Sequence, residues 1–210
     1  MNFKSKLLLG LGGAGTVGGI GAASYPYLSK GEKESILTAI TKQGKRFILS
    51  TSKDTHDTQW TAISDSLKND AVAQREIENP IDKDRLKRWC EDTSQKKSYD
   101  EDLLKKFENR CTKNTLLTEV KEKLEQGKAL IQFGDDEGWK ARYESYKTDA
   151  TDTNMQITIN GQKISNTGMS NQSANDVRDW CQSMNNSLFE GDSSNSYTSF
   201  KKWCVKEVTR

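Results

Sequence analysis

The sequence predicts a mainly α-helical protein: an N-terminal transmembrane helix, then a helical body of two related units, with a small β-hairpin near 155–164. Three observations predict it. An uncharged stretch at residues 7–28 precedes a chain rich in charge. Apolar residues then recur at helical spacing. The pair Trp-Cys also occurs twice, as Trp89-Cys90 and Trp180-Cys181, each time between a Trp-led helix and a second cysteine.

Residues 1–6 form a short basic N-terminus carrying Lys4 and Lys6. The 22 uncharged residues 7–28 suffice, as a helix, for about 30 Å of hydrocarbon. Basic residues on the leading side favour an inside N-terminus and an outside body. Tyr25 and Tyr27 suit the far interface, and Pro26 ends the span. Gly10-Leu11-Gly12-Gly13-Ala14-Gly15 has the form of a dinucleotide fingerprint. That fingerprint needs a following helix inside a βαβ unit. Here Gly18, Gly19 and Gly21 weaken the helix, and nothing downstream alternates strand with helix. Gly21-Ala22-Ala23 before Ser24 also fits a signal-peptide cleavage site, but we favour a retained anchor. Gly15, Gly19 and Ala23 form a small-residue row through which two anchors could self-associate.

A polar linker, 29–35, leads to helical unit 1 at 36–112. Ser35 is placed to cap a helix bearing Ile36, Leu37 and Ile40, which Gln43-Gly44-Lys45 interrupts. The short apolar run Phe47-Ile48-Leu49 follows, then a turn-rich loop at 50–58. Trp60, Ile63 and Leu67 form one helical stripe. Leu86, Trp89 and Cys90 form the next, and Leu104, Phe107 and Cys111 the last.

The same order returns in helical unit 2 at 115–210. Thr115 precedes Leu116, Leu117, Val120 and Leu124. Gln126-Gly127-Lys128 repeats the tripeptide 83 residues on, and Ala129-Leu130-Ile131 repeats the apolar run. Trp139 lies 79 residues after Trp60, Trp180 lies 91 after Trp89, and Cys204 lies 93 after Cys111. Tyr143 and Tyr146 continue the Trp139 stripe, and Tyr197 and Phe200 precede Cys204. The drifting offsets place insertions in loops, the largest between Lys147 and Asn175. There Met155 to Ile159 alternates, Asn160-Gly161 is a two-residue turn signal, and Gln162 to Ile164 returns. The Asn- and Ser-rich stretches 166–175 and 183–196 read as mobile loops.

The four cysteines contain no C-x-x-C, so zinc-ribbon and thioredoxin-like sites lack their signature. Three pairings are open. Cys90–Cys111 with Cys181–Cys204 is preferred, because each unit then closes its own loop of about twenty residues. An exported body favours disulfides over reduced core thiols. Trp60, Trp89, Trp139, Trp180, Phe107 and Phe200 are expected as structural aromatics, with Trp89 and Trp180 covering the cystines.

This pattern resembles the large paralogous families of hypothetical proteins in haemotropic mycoplasmas. The likeness spans nearly the whole chain, from the Gly-rich span through Gln43-Gly44-Lys45, Trp60 and Trp89-Cys90 to Trp203-Cys204. It departs where Arg110-Cys111 stands in place of a second Trp-Cys in unit 1. The resemblance implies a surface-displayed antigen and supplies no catalytic residues. These bacteria lack a wall and a periplasm, so such a body faces the host.

Charge narrows the function. Formal net charge is +2, and Lys4 and Lys6 account for it, leaving a neutral body. That body lacks the positive field of a nucleic-acid binder. His56 is the only histidine and lies in a polar stretch, where an exposed loop residue is expected rather than a base. The clusters Asp100-Glu101-Asp102 and Asp135-Asp136-Glu137, and Asp149 with Asp152, lack calcium-loop spacing and suit helix starts. No catalytic, cofactor or metal residue is therefore assigned. The expected protein is a single-pass cell-membrane protein with an extracellular body and no enzymatic role. It would act in antigenic variation or host-cell interaction, with host surface components or antibodies as partners. Alternatives are a membrane-tethered scaffold or adaptor facing the cell interior, and an enzyme of unrecognised type.

Overall fold

The computed structural model describes residues 34–168 and 172–208. The expected membrane span lies outside the described residues, as does most of the linker. Among the described residues no helix is long and apolar enough to cross a membrane.

The first half runs α1 (Ile36–Gln43), β1 (Arg46–Ile48), α2 (Asp57–Leu67), α3 (Ala71–Glu76), α4 (Lys83–Ser94), α5 (Glu101–Cys111) and β2 (Thr112–Asn114). The second runs α6 (Leu116–Glu122), β3 (Lys128–Leu130), α7 (Asp136–Asp149), a 3-10 turn η1 (Thr153–Met155), β4 (Thr158–Ile159), β5 (Gln162–Lys163), α8 (Ala174–Met184), α9 (Asn195–Cys204) and β6 (Val205–Glu207). The fold is mainly helical, with small antiparallel strand pairs.

Local chemistry sets the helix ends. The Ser35 hydroxyl accepts the Thr38 N–H at 3.3 Å, and the Thr115 hydroxyl accepts that of Thr118 at 3.2 Å. Asp82 and Asp100 each accept an N–H at 2.8 Å at the starts of α4 and α5. Gly44 ends α1 with φ 64°, a left-handed conformation that suits glycine; Gly127 takes φ 85° in the repeated tripeptide.

Each half then closes on itself. β1 pairs antiparallel with β2, Arg46 opposite Asn114; β3 pairs with β6, Lys128 opposite Glu207. The hydrogen bonds correspond. Leu49 N–H donates to the Cys111 carbonyl at 3.1 Å, and Ile131 N–H to that of Cys204 at 2.9 Å. Trp60 Nε1 donates to the Ser50 carbonyl at 2.9 Å, and Trp139 Nε1 to that of Gln132 at 2.8 Å. The polar strands Thr112–Asn114 and Val205–Glu207 carry no sequence signal of their own; adjacency to the cysteine-bearing helix makes them strands.

Each half has its own core. Ile36, Ile40, Trp60, Leu86, Phe107 and both first-half cysteines form one; Leu116, Val120, Trp139, Trp180, Phe200 and both second-half cysteines belong to the other. The described residues nonetheless form one compact unit. The halves are joined by the Thr118 hydroxyl, which donates to the Lys45 carbonyl at 2.7 Å, and by the segment after α8. Within the second half Leu116 N–H donates to Ser187 O at 2.9 Å and Leu117 N–H to Asn185 O at 3.1 Å, while Phe189 N–H crosses to Asn114 O of the first half at 3.1 Å. Residue 188 thus pairs with Thr115 as an added antiparallel bridge on the outer edge of β2. Its neighbours alternate in facing: Leu188 packs on the first core and Phe189 on the second.

Several expectations need correcting. The stretch 183–196 is not a mobile loop: α8 extends into it, α9 begins in it, and 187–189 fasten the halves. The hairpin forms, with Asn160 and Gly161 left-handed at its turn, but its strands are only Thr158–Ile159 and Gln162–Lys163. Met155 joins η1 because its neighbour Asp152 caps that turn through Asn154 N–H at 2.8 Å. The sequence reading also lacked α3, which Asp70 starts by accepting the N–H groups of Val72 and Ala73.

Candidate functional site: the cystine frames and what they hold

Both cysteine pairs are bonded within their own half. Cys90–Cys111 and Cys181–Cys204 each span 5.7 Å between Cα atoms. Each joins the last two helices of its half where the closing strand departs. The closures enclose 21 and 23 residues, which in the chain-entropy model stabilise by about 3 kcal/mol each.

Of the aromatics, Trp60, Trp139, Trp180, Phe107 and Phe200 are buried. Trp89 is not equivalent to Trp180: it is half-buried, with the Arg110 guanidinium 5.0 Å from its ring centre. The difference follows from the residue before the second cysteine. Trp203, fully buried, packs on Tyr146, while the corresponding Arg110, also buried, lies over Trp89 and pairs with Glu76.

The last helix of each half holds an insertion, and the same two positions do the holding. In α5, Lys106 and Arg110 each bond Glu76 of α3 at 2.6 Å. In α9, the matching Ser199 and Trp203 donate to the carbonyls of Asn154 and Met155 at 2.9 and 2.6 Å. One slot therefore takes a charged helix in the first half, and a 3-10 turn leading into a hairpin in the second. Burial alone would raise the Glu76 carboxyl; the hydrogen bonds from Lys106 and Arg110 outweigh it and leave the carboxyl below its usual range.

A second latch lies at the loop before each Trp-led helix. Lys87, buried in α4, donates to Asp57 Oδ1 at 2.6 Å and to the Lys53 carbonyl. Its counterpart Arg178 lies over the Phe133 ring at 4.5 Å. Hydrogen bonds from Lys83 and then Lys87 hold the Asp57 carboxyl below its usual range.

His56 is half-buried, which departs from the exposed loop residue expected. Its Nδ1 accepts the Ser50 N–H at 2.9 Å, and its ring packs edge-on to Phe47 at 5.4 Å. Burial lowers its pKa, with Glu190 opposing and Lys87 assisting. The acidic clusters act as caps and ion-pair partners. Asp100 caps α5, and Glu101 pairs with Lys105 at 2.8 Å. Asp135 caps α7 through Gly138 N–H at 2.9 Å and also meets Lys206.

The second half also contains a crevice of about 190 Å³. Trp139 and Phe200 line it deep inside, Leu117 and Ile131 line its sides, and both Cys181 and Cys204 contribute to its wall. Phe133, 46% exposed, stands at its edge. Neither the crevice nor the segment 187–189 is legible from spacing alone; the one available signal was Leu188-Phe189, an apolar pair inside an Asn- and Ser-rich stretch.

Comparison with protein-family models, with curated proteins and with solved structures returned no match.

Proposed function

We propose that this chain is a membrane-anchored protein of the kind the haemotropic-mycoplasma resemblance implies, displaying a duplicated, cystine-braced frame to the host. Its role is antigenic variation or contact with host surface components. One observation carries this. The same slot, held by the same two positions of the last helix, accepts two unrelated insertions: α3 in one half, η1 with its hairpin in the other. A frame that tolerates different contents at one place suits the display of variable segments. The two intra-half disulfides support export, since such bonds persist in oxidising surroundings.

The displayed element is then the hairpin around Asn160-Gly161, exposed at its tip. The segment 183–196, which composition also nominated, is fastened to the frame through residues 185–189 and is less free to vary. Protease shaving of intact cells tests the proposal: the body is expected to be cleaved and antibodies to the hairpin to label unpermeabilised cells. Full protection of the body with no labelling would reject surface display.

A further inference from the structure

Both cystines are buried to the same degree, but they differ in what surrounds them. Cys181–Cys204 forms part of the wall of the second-half crevice, between α6, β3, α7, α8 and α9. At about 190 Å³ it exceeds the roughly 150 Å³ apolar cavity that admits benzene, so a small thiol fits. In the first half the stretch corresponding to the crevice's β3–α7 loop is the loop between Leu49 and Trp60. That loop is three residues longer than its counterpart between Ile131 and Trp139. It turns through two left-handed residues, Lys53 and His56, and is tied to α4 by Lys87. On the other side Trp89 and Arg110, the residues immediately before Cys90 and Cys111, stack on each other.

The second cystine also has a structural role the first lacks. It closes the stretch between α8 and α9 that carries Leu188, which packs on the first core, and Phe189, which packs on the second. We propose that Cys181–Cys204 is a thiol-exchange site for low-molecular-weight thiols entering the crevice, and that opening it undocks the two halves. The inference goes beyond surface display and does not depend on it.

The step balances with the thiol as reductant. One thiolate attacks a cysteine Sγ; the Sγ–Sγ bond breaks, a mixed disulfide forms, and the other cysteine leaves as thiolate. A second thiolate attacks the mixed disulfide and leaves as the oxidised small-molecule disulfide. Both protein thiolates then take protons from solvent. With the closure gone, α8 and α9 are no longer clamped. The hydrogen bonds that Ser187, Asn185 and Phe189 make to residues 114–117 lose their support.

The test uses the full chain without denaturant. The protein is exposed to 2-mercaptoethanol for timed intervals, alkylated with iodoacetamide and mapped by mass spectrometry. Cys181 and Cys204 are expected to be labelled about tenfold faster than Cys90 and Cys111. Equal rates, or a faster first pair, overturn the proposal. Gln182→Trp, on the exposed face beside the crevice, is expected to slow the second pair only, and Phe133→Ala to quicken it. If neither variant moves the rate, access through the crevice is wrong. Amide exchange at Phe189, whose N–H crosses to the Asn114 carbonyl, is expected to rise once the second pair alone is open; unchanged protection there rejects undocking.

Discussion

Glu76→Gln tests how the first half holds α3. Arg110 is 6% exposed at its side chain and Glu76 31%, so their 2.6 Å contact is largely shielded from water. Removing one partner of a fully buried pair costs about 3–5 kcal/mol, because the other charge is stranded. Glu76 is partly exposed, and Asp70 remains close enough to Arg110 to feel its charge, so about 2 kcal/mol is the expected loss. The pH dependence adds a second readout. The Glu76 carboxyl lies below its ordinary 4.5 when folded. Its contribution is therefore complete above pH 4.5 and is lost as pH falls through the folded value. Gln keeps the shape and cannot titrate, so the variant should lose this part of the acid limb. Guanidinium unfolding from pH 7 down to pH 3 measures both effects. A change below about 0.5 kcal/mol at pH 7, or an acid limb as steep as the parent's, would show that Arg110 is not stranded without Glu76.

Replacing either cysteine pair by alanines should lower unfolding free energy by about 3 kcal/mol, read from the guanidinium midpoint; a loss below 1 kcal/mol would refute the closure argument. Leu188→Ala with Phe189→Ala should cost about 2 kcal/mol in all, each side chain being half-buried, and should split one unfolding transition into two by calorimetry. A single sharp transition would mean that the halves are coupled elsewhere. His56 should titrate by NMR below its ordinary 6.5, so its contribution is complete above that pH and declines as pH falls through the folded value. A midpoint above 6.5 would remove burial as the dominant influence. Trp203→Phe should cost about 1–2 kcal/mol through the stranded Met155 carbonyl, with raised amide exchange across the hairpin; unaltered hairpin exchange would place its anchor elsewhere.

Much of the frame was legible because its signals are local. Ser35 and Thr115 are caps, Gly44 and Gly127 end turns, and Trp60, Trp139 and the cysteines sit at helical spacing. What escaped depends on partners distant in sequence. Thr112–Asn114 is polar and becomes a strand only because Arg46–Ile48 lies beside it. α3 has only six residues and no apolar period; Asp70 was a cap signal with nothing after it to support a helix. Residues 187–189 read as loop because the groups they meet, residues 114–116 and the first core, lie far back in the sequence. Trp89 and Trp180 share a motif but not a burial, since the residue that decides it lies on the next helix.

The closing strand pairs have an evolutionary consequence. The strand after the first helix of each half lies against the strand leaving the last, Arg46 beside Asn114 and Lys128 beside Glu207. In each half the stretch from that strand to the closing strand, which leaves out the first helix, therefore begins and ends at nearly one point in space. A segment with adjoining ends behaves as a cassette: it can be copied, removed or transplanted between genes while its neighbours keep their shape.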